Sequence, residues 1–177
     1  EWIELGEKAV RLIIDKCIGE DFRLSRIYLN ASASIEGQLE DYANLIEALL
    51  HLFDITSKLI YLNQASSLME KCLEEFWDER EDEFYLSPSN QLGPQLTRSR
   101  NASDGAILSP VATSINCLYK LYQRNALISD KSLSDYKKMA DQALGKLAGD
   151  INENPMSHTS LLRQLENRTR GGIDLYQ

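Results

Sequence analysis

The stretch from Gly37 to Phe53, GQLEDYANLIEALLHLF, constrains the fold more than any other part of the chain. Leu39, Tyr42, Ala43, Ile46, Leu49, Leu50 and Phe53 recur at the spacing of one helical face, and Asp41, Leu45, Ala48 and Leu52 form a second, mostly apolar row beside it. A helix that is apolar on two adjacent rows needs cover on more than one side. Its polar remainder is a narrow stripe of Glu40, Asn44, Glu47 and His51. At 177 residues and 43% hydrophobic content the chain has enough apolar surface to supply that cover from a single core.

The covering partners are readable as further helices. Trp2, Leu5, Ala9, Leu12 and Ile13 share a face, with Gly19 as a left-handed stop. Leu62, Ala65, Met69, Leu73 and Phe76 define a third helix beginning near Ser57. In SPVATSINCLYKLY, Ser109 is an N-cap and Pro110 a first helical residue, whose missing N–H costs nothing there. Val111, Ile115, Leu118 and Tyr122 then point inward. Ser132 or Ser134 caps a fifth helix carrying Tyr136, Met139, Ala140, Ala143, Leu144 and Leu147, with Gly149 near its end. A weaker sixth segment runs from Met156 to Leu165.

Strand character is confined to Arg26–Leu29 and Glu83–Leu86, too little for a sheet. These scraps lie in two long connections, the kind of segment that is usually functional in a compact domain. The expected fold class is all-α, with helices paired antiparallel and the long loops gathered at one end.

Composition excludes some functions. A net charge of −8 argues against a nucleic-acid or anionic-membrane surface, both of which need clustered Lys and Arg. No apolar run approaches the roughly 18 residues of a membrane span, and the first residues lack the pattern of a signal peptide. The expectation is a cytoplasmic protein without nucleic-acid or membrane partners, and one that belongs to something longer.

Cys17, Cys72 and Cys117 are odd in number and far apart, which fits small buried hydrophobes rather than a disulfide framework or a metal site. Two histidines, His51 and His158, are too few for a zinc site built from histidines. The acidic run Asp78, Glu79, Glu81, Asp82, Glu83 lacks the glycine and alternating ligands of a calcium loop, so no metal and no cofactor are assigned. The triplets at Asn30, Asn101 and Asn167 are read as chance glycosylation matches.

Three blocks in order, GQLEDYANLIEALLHLFDIT, LEEFWDEREDEFY and RSRNASDGAILSPVATSINCLYKL, resemble the C-terminal region of the thioredoxin-domain-containing, spermatogenesis-associated thioredoxin-like family. The likeness is good from Trp2 to Tyr122 and loose beyond. It implies a partial (α/α) toroid of antiparallel helix hairpins over residues 1–165, about half of a six-hairpin ring similar to six-hairpin glycosidases and N-acylglucosamine 2-epimerases, with a flexible tail over 166–177. It also implies, as partners, an N-terminal thioredoxin domain and the remaining toroid helices of a full-length chain. The sequence departs from the family at Glu81, Asp82 and Glu83, where glycines are favoured, and at Pro110 and Val111, which replace a Gly and an Asn.

Within that frame Glu40 and Asp41 are the leading catalytic candidates. Both stand in the first turn of a helix, where negative charge is favoured, and a capping pair of Gly37 with Glu40 accounts for one of them. Asp41 falls on the buried row, a setting that suits acid or base work on a sugar hydroxyl. Asp104, in SDGA ahead of the fourth helix, is a third candidate beside its reading as a turn residue. Tyr42, Trp77, Arg98 and Arg100 are candidate binding residues for a sugar-like small molecule. Two functions follow. One is a carbohydrate-directed domain, glycoside-hydrolase-like or epimerase-like. The other is a non-catalytic helical scaffold appended to a thioredoxin module.

Overall fold

The structure, a computed structural model, describes residues 1–89, 97–128 and 133–170. It is all-α, and the described residues form six helices: α1 (Trp2–Cys17), α2 (Leu39–Thr56), α3 (Leu59–Phe76), α4 (Pro110–Gln123), α5 (Leu133–Glu153) and α6 (Thr159–Arg170). Strand among the described residues is confined to two short antiparallel ribbons, β1 (Ser25–Leu29) with β2 (Ser32–Glu36), and β3 (Trp77–Asp78) with β4 (Glu83–Phe84). The first ribbon turns through Asn30 and Ala31, both at positive φ, the geometry that matches the twist of a tight hairpin.

The two apolar rows of α2 are both covered. Leu39, Ile46, Leu49 and Leu50 are fully buried, and Leu45 and Leu52 of the second row are nearly so. Helix α3 returns antiparallel after Ser57 adopts the left-handed conformation, which brings Tyr42 near the start of α2 onto Phe76 at the end of α3, ring centroids 5.2 Å apart. Helix α4 packs on another side and runs parallel to α2: Cys117 lies by Ala43, Lys120 by His51 and Arg124 by Asp54. Helix α5 folds back antiparallel on α4, with Val111 and Leu147 near one another at one end and Tyr122 and Lys137 at the other. One hydrophobic core runs through these four helices and takes in Val10 of α1 and Leu161 of α6.

Local signals decide where the helices begin and stop. Ser109 is the N-cap of α4, its Oγ accepting the Ala112 N–H, with Pro110 at the first position as the sequence predicts. Helix α1 does not run to a glycine stop. It ends at Cys17 because Ile18 turns extended and bridges to Leu24. Gly149 lies near the end of α5, as expected, and the helix continues to Glu153, burying Ile151 on the way. Ser134 lies inside α5, and Ser132 lies outside the described residues. Helix α6 starts later than expected, after a 3-10 turn at Pro155–Ser157, and it takes up 166–170 of the anticipated tail. Residues 171–177 lie outside the described residues.

Helix α1 is the helix least covered. Val10 is buried, while Trp2, Leu5 and Leu12, a stripe at helical spacing, are 84%, 58% and 55% exposed.

Candidate functional site

Because α2 and α4 run parallel, their N-terminal ends lie at one end of the molecule, where the two long connections also gather. Leu39 at the start of α2 donates its N–H to the Leu86 carbonyl at 3.1 Å, and Leu86 donates to Ser99 at 2.8 Å, so the second connection is laid across the first turn of α2. The candidate residues all fall in this region.

Asp41 closes a capping box. The cap is Gln38, whose N–H donates to Asp41 Oδ2 at 2.8 Å. The box therefore sits one residue beyond the expected Gly37 and Glu40 pairing, and Asp41 rather than Glu40 is its carboxylate. Gly37 instead fastens the first connection to its own start. Its N–H donates to the Leu24 carbonyl at 2.8 Å, and a Cβ there would stand 2.8 Å from that same oxygen. Glu40 faces Arg26 of β1 at 3.7 Å, and Arg26 lies 3.8 Å from Asp41 Oδ2.

Beside this cap lies a cleft of about 300 Å³ between α1, β1 and α2. Val10, Leu24 and Leu45 make an apolar floor, and Arg26, Asp41 and Asn44 form a polar rim. Cys17 is part of its wall, half-buried, whereas Cys72 and Cys117 are fully buried with thiols whose pKa burial pushes up. A ligand of modest size fits such a volume, which is at the low end for small-molecule sites.

Asp104 ties two helix starts together. Its Oδ1 accepts the N–H of Ser109, the cap of α4, at 3.0 Å, and its Oδ2 accepts the Ser160 N–H at 2.8 Å and the Thr159 hydroxyl at 2.9 Å in the first turn of α6. The Ser160 hydroxyl donates to it as well. Burial works to raise the pKa of this carboxyl, but the hydrogen bonds from Ser160, Ser109 and Thr159 outweigh it and hold the group below its ordinary value. Such a group stays ionised and serves as an acceptor.

The aromatic candidates point inward. Tyr42 is 2% exposed, and its hydroxyl accepts the Leu24 N–H at 2.8 Å; burial pushes its pKa up to about 12. Trp77 stacks edge to face on Phe84, centroids 4.9 Å apart. Arg98 donates to the carbonyls of Ser87 and Glu75 and lies over the Tyr85 ring at 4.3 Å, so it fastens the second connection to the end of α3. Arg100 pairs with Glu83 at 2.6 Å. In the acidic run, Asp78 accepts the N–H groups of Arg80 and Glu81 in its own turn.

Two features escaped the sequence reading. Glu75 is 2% exposed, and its Oε1 lies 3.0 Å from both Arg23 and Lys71. The Lys71 and Glu75 spacing of four was legible as a helical ion pair, but nothing local announces Arg23, 52 residues away. The cleft beside Asp41 was missed because its walls come from three separate elements.

No family model matches the chain. Over 167 residues it is 30% identical to a Caenorhabditis elegans protein described as Uncharacterized protein B0495.5, a match that takes in 89% of this chain and 21% of that protein. The chain therefore spans about a fifth of the length of the curated relative it matches.

Proposed function

We propose that this chain is a non-catalytic helical interaction domain that works as part of a longer protein, the alternative to the carbohydrate-directed domain that the family resemblance implies. The observation that carries this reading is the employment of the candidate catalytic groups. Asp41 closes the cap of α2, Asp104 joins the starts of α4 and α6, and Glu40 lies 3.7 Å from Arg26, so all three candidate carboxylates are engaged by the protein's own groups. Tyr42 and Trp77, the candidates for sugar stacking, present their rings to Phe76 and Phe84. The surface best suited to a partner is the outward stripe of α1, Trp2, Leu5 and Leu12, since exposed apolar side chains aligned on one helix face favour burial against another protein surface. We assign its occupant to the rest of the longer protein.

A second reading, the carbohydrate-directed domain, draws support from one observation: Asp41 lines an open cleft at the end where α2 and α4 both begin. The two readings separate in hydrogen–deuterium exchange on residues 1–177 alone and within the full-length protein, run beside a glycan turnover screen. The interaction domain requires that α1 exchange more slowly in the full-length protein and that no glycan be turned over. Equal exchange of α1 in both forms, or turnover that disappears in Asp41→Asn, overturns it.

A further inference from the structure

The cleft between α1, β1 and α2 is built for a ligand that is charged at one end and apolar at the other. Its floor is supplied by Val10, Leu24 and Leu45, which are 6%, 5% and 6% exposed and so present a fixed hydrocarbon surface. Its rim carries both signs of charge within a few ångströms. Arg26 lies 3.8 Å from Asp41 and 3.7 Å from Glu40, beyond hydrogen-bond length, and among the described residues its guanidinium makes no hydrogen bond. The Arg26 fork is thus ion-paired to Glu40 and Asp41 but not hydrogen-bonded to them, and at the mouth of the cleft its planar donors match a ligand carboxylate. Asp41 uses Oδ2 for the Gln38 N–H, and among the described residues its Oδ1 accepts no hydrogen bond. The Asn44 side chain, exposed one helical turn further along α2, likewise has no hydrogen bond among the described residues.

We propose that this cleft binds a free aliphatic α-amino acid, with the ligand carboxylate on Arg26, its ammonium between Asp41 and Asn44, and its side chain on the apolar floor. Opposite charges on two groups carried by one ligand carbon are what a rim with a cation and an anion side by side selects. Arg26 and Asp41 face each other at 3.8 Å; a ligand with both charges gives each of them a new partner, whereas a fatty acid meets only Arg26 and a neutral sugar brings no counter-charge, so the mixed rim discriminates against both. The cleft holds an aliphatic side chain and its head group but has no ring against which a sugar could stack. Binding here requires no proton transfer, which is compatible with a carboxylate that caps a helix.

The wall also supplies a reporter. Cys17 is half-buried in the cleft, while Cys72 and Cys117 are fully buried elsewhere, so alkylation of the folded chain reads Cys17. The probe is L-leucine, titrated into the 177-residue chain by calorimetry and, separately, as a protectant of Cys17 against iodoacetamide followed by mass spectrometry. Leucinamide, which lacks the carboxylate, and N-acetyl-leucine, which lacks the ammonium, are the controls. The expected result is saturable binding of leucine that slows Cys17 alkylation, with each control at least about tenfold weaker because it loses one charge-assisted contact. Arg26→Gln, a change at an exposed side chain, is expected to remove the preference for leucine over leucinamide while leaving the thermal melt unchanged. The proposal is overturned if leucine at about 10 mM, roughly ten times a dissociation constant of about 1 mM, neither binds nor protects Cys17. Equal binding of leucine and its two derivatives, or an Arg26→Gln protein that still prefers leucine, overturns it as well.

Discussion

Replacing Tyr42 by Phe separates a structural role from a ligand-binding one at a single oxygen atom. The ring is retained, and with it the edge contact to Phe76 at 5.2 Å. What is lost is the acceptor of the Leu24 N–H, 2.8 Å away, at a place where Tyr42 is 2% and Leu24 5% exposed. No water reaches that N–H, so the cost is that of a buried donor left unmet, about 1–3 kcal/mol. A loss of about 2 kcal/mol lowers the melting temperature of a chain of this size by about 4–8 °C. The assay is a circular-dichroism melt of both proteins at neutral pH. It is checked by alkaline titration of tyrosine absorbance, in which the group pushed up to about 12 disappears from the variant. The sign of the pH effect follows from the same shift. The folded phenol loses its proton at a higher pH than the unfolded one, whose value is 10.0, so the stabilisation is complete below that value and is lost as pH rises from there through about 12. A Tyr42→Phe protein that melts within about 1 °C of the wild type, a shift worth under half a kcal/mol, refutes the argument and makes the hydroxyl a candidate ligand contact again.

Gly37→Ala places a methyl carbon 2.8 Å from the Leu24 carbonyl oxygen, a backbone atom that cannot swing aside, and costs about 1–3 kcal/mol in a chemical-denaturation experiment; unchanged stability would mean that the first connection is free to lift off α2. Asp104→Ala removes four hydrogen bonds to the starts of α4 and α6 and is expected to cost at least about 2 kcal/mol, with exchange of the α6 amides accelerating most. Since the folded carboxyl has the lower pKa, its stabilisation is present above the ordinary value of 3.8 and lost as pH falls below it, and the variant should show a flatter acid limb.

What could be read from the sequence was whatever is decided within one helical turn or one helical face. The Ser109 and Pro110 pair fixes the start of α4 by its own chemistry, and the periodicity of α2 announces that both of its rows are buried. The boundaries that went astray were those where distant packing overrides a local preference. Gly19 is an ordinary stop signal, yet it is pre-empted at Ile18 by the bridge to Leu24. In the candidate site, Asp41 was recognised as special for its buried row, while its partner Gln38 shows that a capping box shifted by one residue explains it. Asp104 was legible as half of an Asp-Gly turn and as a catalytic candidate but not as a tie between helices, because its decisive partner, Ser160, is 56 residues further on.

The parallel alignment of α2 and α4 also governs the order in which the chain can assemble. Helices α2 and α3 are joined by a two-residue link and can pair as soon as both exist, whereas Asp54 and Arg124, which meet across α2 and α4, are 70 residues apart. Closing that distance requires the whole second connection to be laid down first, so the hairpins form before they dock. On a ribosome, a chain extended only to Ser109 has the α2 and α3 hairpin complete but nothing to place over Ala43 and Leu50. The greasiest helix of the protein thus spends the synthesis of α4 with one flank bare, the interval in which a chaperone has most to hold.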